Sequence, residues 1–225
     1  NDMKIYSAYE LATADPKHLR KQFSVNVERT ISELNGISAI PLEEHPEPKQ
    51  QIYCTRSFGD KPTELPPLIQ AVSGYASRTA EKLRAQQHFA SAIQVFINTS
   101  PYESNYYGKS LTTQLPYPTD DTRVLIKHAQ STLRQIFRPE KRYLKAGVGL
   151  LGLTSKQFMQ NDMFHEGQSI KSDRLMTTLD SINQLYGQGS TYIGSQGSSQ
   201  RWKMRQQYLS PAYTTRWSDI PDVHC

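Results

Sequence analysis

The spacing of apolar residues changes from helical to strand-like and back again along this chain. Asp15-Pro16 reads as an N-cap followed by proline at the first helical position, and Leu19, Phe23, Val27, Ile31 and Leu34 recur at helical spacing behind it. That pattern predicts one amphipathic helix, which Gly36 ends. Ser7 to Ala14 can form a shorter helix before it, so residues 1–36 read as a helical unit too small to bury a core alone. Residues 37–49 hold three prolines and three glutamates without a sustained period and read as an extended linker.

Beyond the linker, Ile52 and Cys54 alternate with Tyr53 and Thr55 in a strand over 51–57. A helix is predicted over 65–84 from Leu68, Ile69, Val72, Tyr75, Ala76, Thr79 and Leu83. Strands over 89–98 and 107–115 follow, then a helix opened by Asp120-Asp121 and running through Val124, Ile126, Ala129, Leu133 and Phe137, then a strand over 143–153. The fold class predicted for 50–154 is therefore α+β, a βαββαβ unit whose two helices cover one face of a four-stranded sheet and leave the other open. A period of two assigns the faces. With Ile93, Val95, Ile97, Leu144, Ala146, Val148 and Leu150 turned to the helices, the open face takes Tyr53, Thr55, Ser57, Gln94, Phe96, Asn98, Tyr143, Lys145, Gly147 and Gly149, joined by Lys109 from the third strand. A last helix is predicted over 173–185, followed by a glycine-rich, turn-forming segment over 186–200.

Charge adds a direction to this pattern. Residues 50–154 carry thirteen Lys and Arg against seven Asp and Glu, whereas 1–49 carry six against eight and 155–225 seven against six. The net +5 of the chain is thus concentrated in the sheet-and-helix segment. Such a block marks either an electrostatic footprint for a polyanion or a solvated cationic surface. Arg56, Ser57, Lys61, Asn98, Lys109, Arg142 and Lys145 are the candidate nucleic-acid-binding residues, and the five cations among them can each neutralise a phosphate while carrying little sequence information. Parity alone sets Arg56 with Ile52 and Cys54 instead.

Composition excludes several classes. No run approaches the ~18 to 20 apolar residues that span a bilayer, and the N-terminus lacks the charged and apolar regions of a signal peptide. The only cysteines are Cys54 and Cys225, so no disulfide framework arises and a cytoplasmic location is expected. A chain opening on Asn1 is expected to be a fragment or a processed product. The six histidines show no metal-ligand spacing. Asp120-Asp121 resembles a metal-binding pair, but its place at a helix start makes capping the simpler account. The glycine-rich segment lacks the Gly-Lys-Ser/Thr ending of a phosphate loop. No catalytic residue and no metal site is assigned. Residues 155–172 are polar yet include Phe158, Met159, Met163 and Phe164, which either dock on a partner or pack back onto the domain.

Several words of this sequence are rarer. Arg56-Ser57-Phe58-Gly59, Tyr75-Ala76-Ser77-Arg78, Thr99-Ser100-Pro101, Tyr106-Tyr107-Gly108 and the run from Arg142 to Val148 resemble the UmuC branch of the Y-family translesion DNA polymerases, the catalytic-subunit family of bacterial DNA polymerase V. So do Tyr192 to Gly197, Trp202-Lys203-Met204 and Leu209 to Asp219. The resemblance implies that 1–36 is the end of a helical thumb, 37–49 a linker, 50–154 the little finger domain that lies on primer-template duplex DNA, 155–172 a tether, and 173–225 a tail peculiar to that branch. It also implies that the palm and fingers, with the acidic residues holding two Mg²⁺, are not in this chain, so no cofactor is expected here.

Gln160-Asn161-Asp162-Met163-Phe164 resembles the peptide by which such polymerases dock on the sliding clamp. Phe164 would be the anchor, Met163 would take the usual leucine position, and Gln160 would be the polar contact. Further partners implied by the resemblance are a UmuD′-type accessory dimer and RecA, in SOS mutagenesis and DNA repair. The alternative is a stand-alone DNA-binding or clamp-binding adaptor derived from such a polymerase.

Overall fold

The computed structural model describes residues 5–39, 49–158, 167–198, 202, 204 and 208–221. They belong to two compact units, Asn1–Glu47 and Pro48–Cys225.

In the first unit, helix α1 (Ala8–Thr13) starts with a capping box in which the Ser7 hydroxyl accepts from the Glu10 N–H at 3.2 Å and the Glu10 carboxylate accepts from the Ser7 N–H at 3.0 Å. The single helix expected behind Asp15 is two helices, α2 (Pro16–Gln22) and α3 (Val25–Leu34). The break has a local cause. Ser24 turns extended and its hydroxyl caps the Asn26 N–H at 3.3 Å, which restarts the helix at Val25, two residues after Phe23. Leu19 and Ile31, one from each helix, become the buried residues, while Phe23 is 65% exposed.

The second unit is built on an antiparallel sheet of β1 (Ile52–Ser57), β2 (His88–Thr99), β3 (Gly108–Thr119) and β4 (Tyr143–Ser155), in the order β1-β4-β2-β3. Helices α4 (Leu65–Ala85) and α5 (Thr122–Ile136) pack side by side on one face. Ile93, Val95, Ile97, Val148 and Leu150 from the sheet meet Leu68, Val72, Leu83, Leu125 and Leu133 from the helices, all fully buried. The predicted α+β class and the helix-covered face are thus present. Strand β3 runs four residues past its predicted end, and its ladder with β2 shifts between Ala90 and Ala92. Pro116 and Pro118 lie in that irregular stretch of an edge strand, where a missing N–H costs least.

One parity assignment fails in the core. Tyr143 was expected on the open face, yet it is completely buried. Asn98 pairs with Lys145 while Thr99 pairs with Tyr143, so the extra residue Leu144 reverses the alternation. The Tyr143 hydroxyl bonds both the N–H and the carbonyl of Arg138 at 2.9 Å, and its ring packs between Tyr107 and Phe137.

The C-terminal helix α6 (Ile170–Tyr186) is held by polar contacts on the helical side. Arg84 on α4 makes a bidentate pair with Asp180 at 2.6 and 2.7 Å, and its remaining amine reaches the Asp120 carbonyl and the Thr122 hydroxyl. Asp120 is fully buried, paired with Lys156 at 2.6 Å and bonded by the Gln168 amide. Asp121 caps α5 through the Arg123 N–H and also accepts from the Ser172 hydroxyl. The glycine-rich segment returns to α4, where the Gln196 amide donates to the Ser77 hydroxyl at 2.7 Å. Trp202 packs edge-on against Tyr75 and Phe58.

Candidate nucleic-acid interface

Within 48–225 the sheet face opposite α4 and α5 carries no helix among the described residues, and register arranges its side chains in transverse rows. Ser57, Lys145, Asn98 and Gly108 form the first row. Thr55, Gly147, Phe96 and Ser110 form the second, and Tyr53, Gly149, Gln94 and Thr112 the third. Three of the predicted residues, Ser57, Asn98 and Lys145, are therefore brought side by side on three neighbouring strands. Lys145 has no ion pair among the described residues, and the Asn98 Oδ1 is buried without a hydrogen-bond partner. A cation beside a hydroxyl and an amide N–H can hold a phosphate oxygen by charge and by hydrogen bonds donated to it, a role the Asn98 Oδ1, an acceptor, does not take.

Two predicted cations belong elsewhere. Arg56 pairs across strands with Ala146, a core residue, so it stands on the helical side of the β1 edge, beside Arg78 and Tyr75. Lys109 pairs with Ile97, also in the core, and so leaves the β3 edge on the helical side. For Arg56 this is the side that parity with Ile52 and Cys54 indicated, whereas for Lys109 ladder register overrides its assignment to the open face. Lys61 and Arg142 lie outside the strands. Lys61 is held by Glu103 at 2.8 Å, and this hydrogen bond keeps the Glu103 carboxyl below its ordinary range, with Arg142 contributing from nearby. Lys141 is occupied by the Asn105 side chain at 2.5 Å. The face is consequently polar and aromatic, and among the described residues of its three rows Lys145 is the cation. Gln160, Met163 and Phe164 lie outside the described residues.

What sequence reading missed is how the two aromatic rings are seated. Any side chain at Gly147 would run into the Phe96 ring, and any at Gly149 into the Tyr53 ring. The glycines of β4 thus make room for rings that lean in from β1 and β2. Tyr53 crosses β4 far enough for its hydroxyl to donate to Gln94 Oε1 on β2 at 2.9 Å, and the Gln94 amide reaches the Thr112 hydroxyl at 3.3 Å. The signal was present in Gly147 and Gly149 alternating along a strand, but their aromatic partners are far away in sequence.

A separate cavity of about 460 Å³ lies between α4 and the C-terminal segment, with Cys54, Tyr75, Arg84, Asp180 and Trp202 among its lining. Burial pushes both the Cys54 thiol and the Tyr75 hydroxyl up, so neither ionises near neutral pH. Among the described residues no group of three or more His, Cys, Asp or Glu is placed to hold a metal ion. The adjacent carboxylates Asp120 and Asp121 are taken up by Lys156, Gln168, Arg123 and Ser172 and do not fit Mg²⁺. No helix among the described residues is long and apolar enough to cross a membrane.

An α+β unit with one helix-covered face and one open polar face is the class these features define. Residues 49–163 match the impB/mucB/samB family C-terminal domain, and 173–223 match a domain of unknown function, DUF4113. The chain belongs to the impB/mucB/samB family. It is 45% identical over 98% of its length to Protein SamB of Salmonella typhimurium, covering 53% of that protein, and 41% identical over 98% to Protein UmuC of the same organism, covering 53%. It is also 25% identical over 83% of its length to DNA polymerase IV of Clostridium acetobutylicum, covering 46%. The chain spans about half the length of these curated relatives.

Proposed function

We propose that this chain supplies the duplex-holding and clamp-docking part of an error-prone Y-family translesion DNA polymerase acting in SOS mutagenesis and DNA repair. The observation that carries the reading is the row Ser57, Lys145 and Asn98 on an uncovered sheet face, in a domain of the impB/mucB/samB family. A backbone-directed grip of this kind suits a polymerase that must pass damaged bases, because phosphate contacts do not depend on base identity. Nucleotidyl transfer by two Mg²⁺ finds no carboxylate cluster among the described residues, so no step of that chemistry is assigned to them.

The test is a salt series of duplex binding with the purified chain. Each phosphate neutralised contributes about 0.9 to the slope of log K against log salt, and a slope near zero overturns the reading. The purified chain is expected to extend no primer, and measurable nucleotide incorporation would contradict the division of labour. For the docking peptide, joint Met163→Ala and Phe164→Ala substitution is expected to abolish sliding-clamp pull-down, and unchanged retention refutes that assignment.

A further inference from the structure

The duplex grip leaves the two rings on the open face without a role. Phe96 leans over Gly147 and Tyr53 over Gly149, so both rings lie above β4, two residues apart, with Lys145 two residues further along the same strand. Two residues of an extended strand span about 6.8 Å, roughly twice the ~3.4 Å rise per nucleotide of a stacked duplex strand. Adjacent duplex bases cannot match that interval, and rings that recline across a sheet do not protrude to reach base edges in a groove. Bases of a drawn-out single strand can, since each offers a π-face whatever its identity. The charge is placed to suit such a ligand, with Lys145 in line with the rings and no ion pair holding it among the described residues.

We propose that Tyr53 and Phe96 are stacking platforms for unpaired bases, making β4 a track for single-stranded DNA that begins at Lys145. The proposal rests on the DNA-binding reading of this face, yet the two can fail separately. Gly147 and Gly149 are the enabling residues: without a Cβ, β4 lets rings from both neighbours settle over it. The Tyr53 hydroxyl is bound to Gln94, which leaves stacking to the ring's π-system.

The experiment titrates the full chain with a single-stranded oligonucleotide containing 2-aminopurine, and separately with a blunt duplex. Single-strand binding is expected to quench the 2-aminopurine. The Tyr53→Leu, Phe96→Leu double variant, which keeps apolar bulk, is expected to lose that quench and about tenfold or more in single-strand affinity, with duplex affinity within about twofold. Tyr53→Phe is expected to retain both. No quench with the unsubstituted chain, or equal single-strand affinity in the double variant, overturns the proposal. A parallel loss of duplex binding in the double variant also overturns it, because the rings would then serve the duplex. If the unsubstituted chain quenches the single strand but does not bind duplex, the duplex-holding function fails and the stacking track stands.

Discussion

The two faces of one four-stranded sheet obey different rules. On the helical face Ile93, Val95, Ile97, Val148 and Leu150 are fully buried and interchangeable in chemistry, and what matters is the volume they fill. On the open face each position differs from its neighbour: a cation, an amide, a glycine, a ring. Substituting one face therefore changes stability and substituting the other changes recognition. The contrast also shows that a charge count is not a map, since Arg56 and Lys109 come from the same cationic block but project on the helical side.

The sharpest break of this contrast is a cavity on the covered face. Leu150→Ala is expected to cost about 4 kcal/mol in urea unfolding, because a fully buried leucine leaves an unfilled volume between the sheet and its helices. Next is Asp180→Ala, which strands the Arg84 guanidinium beneath α6 and is expected to cost roughly 3 kcal/mol. A native-like unfolding midpoint in that variant would mean that α6 is not tied down through this pair.

A smaller effect depends on pH. Burial acts to raise the Asp121 carboxyl, but hydrogen bonds from Arg123 and Ser172 prevail and hold it below its ordinary value in the fold. A carboxyl depressed on folding adds stability above its unfolded pKa of about 3.9, and that contribution disappears as pH falls through the lower folded value. Asp121→Ala should therefore cost about 2 kcal/mol at neutral pH, and progressively less below about pH 4. A cost independent of pH between neutral and strongly acidic denaturation series would refute the linkage.

The smallest change in stability belongs to the open face. Lys145→Ala should shift unfolding by less than about 0.5 kcal/mol, while lowering the salt slope of duplex binding by about 0.9. If it destabilises the fold as much as a core substitution, the division between the faces does not hold.

How far the sequence could be read follows the range of each interaction. The Asp15 cap, α4, α5 and the alternation of β2 were legible because their causes lie within a few residues. The break at Phe23-Ser24 was missed because a helical apolar period masked a capping serine. Tyr143 was misplaced because a single bulge residue, Leu144, reverses parity and leaves no mark in the hydrophobic pattern. Of the DNA-binding candidates, Ser57, Asn98 and Lys145 fell on the expected face, whereas Lys109 did not, because its facing depends on pairing with Ile97 on a strand ten or more residues away.

The sequence by itself determined the α+β class, the order of strands and helices over 50–154 and a face of apolar side chains that had to be covered, since local periodicity and burial free energy act wherever those residues lie. Only the tertiary structure decided the strand order, the row of Ser57, Lys145 and Asn98, the rings seated over Gly147 and Gly149, and the anchoring of α6 by Arg84. Each of these joins residues distant along the chain, and their register is set by packing, not by any local preference.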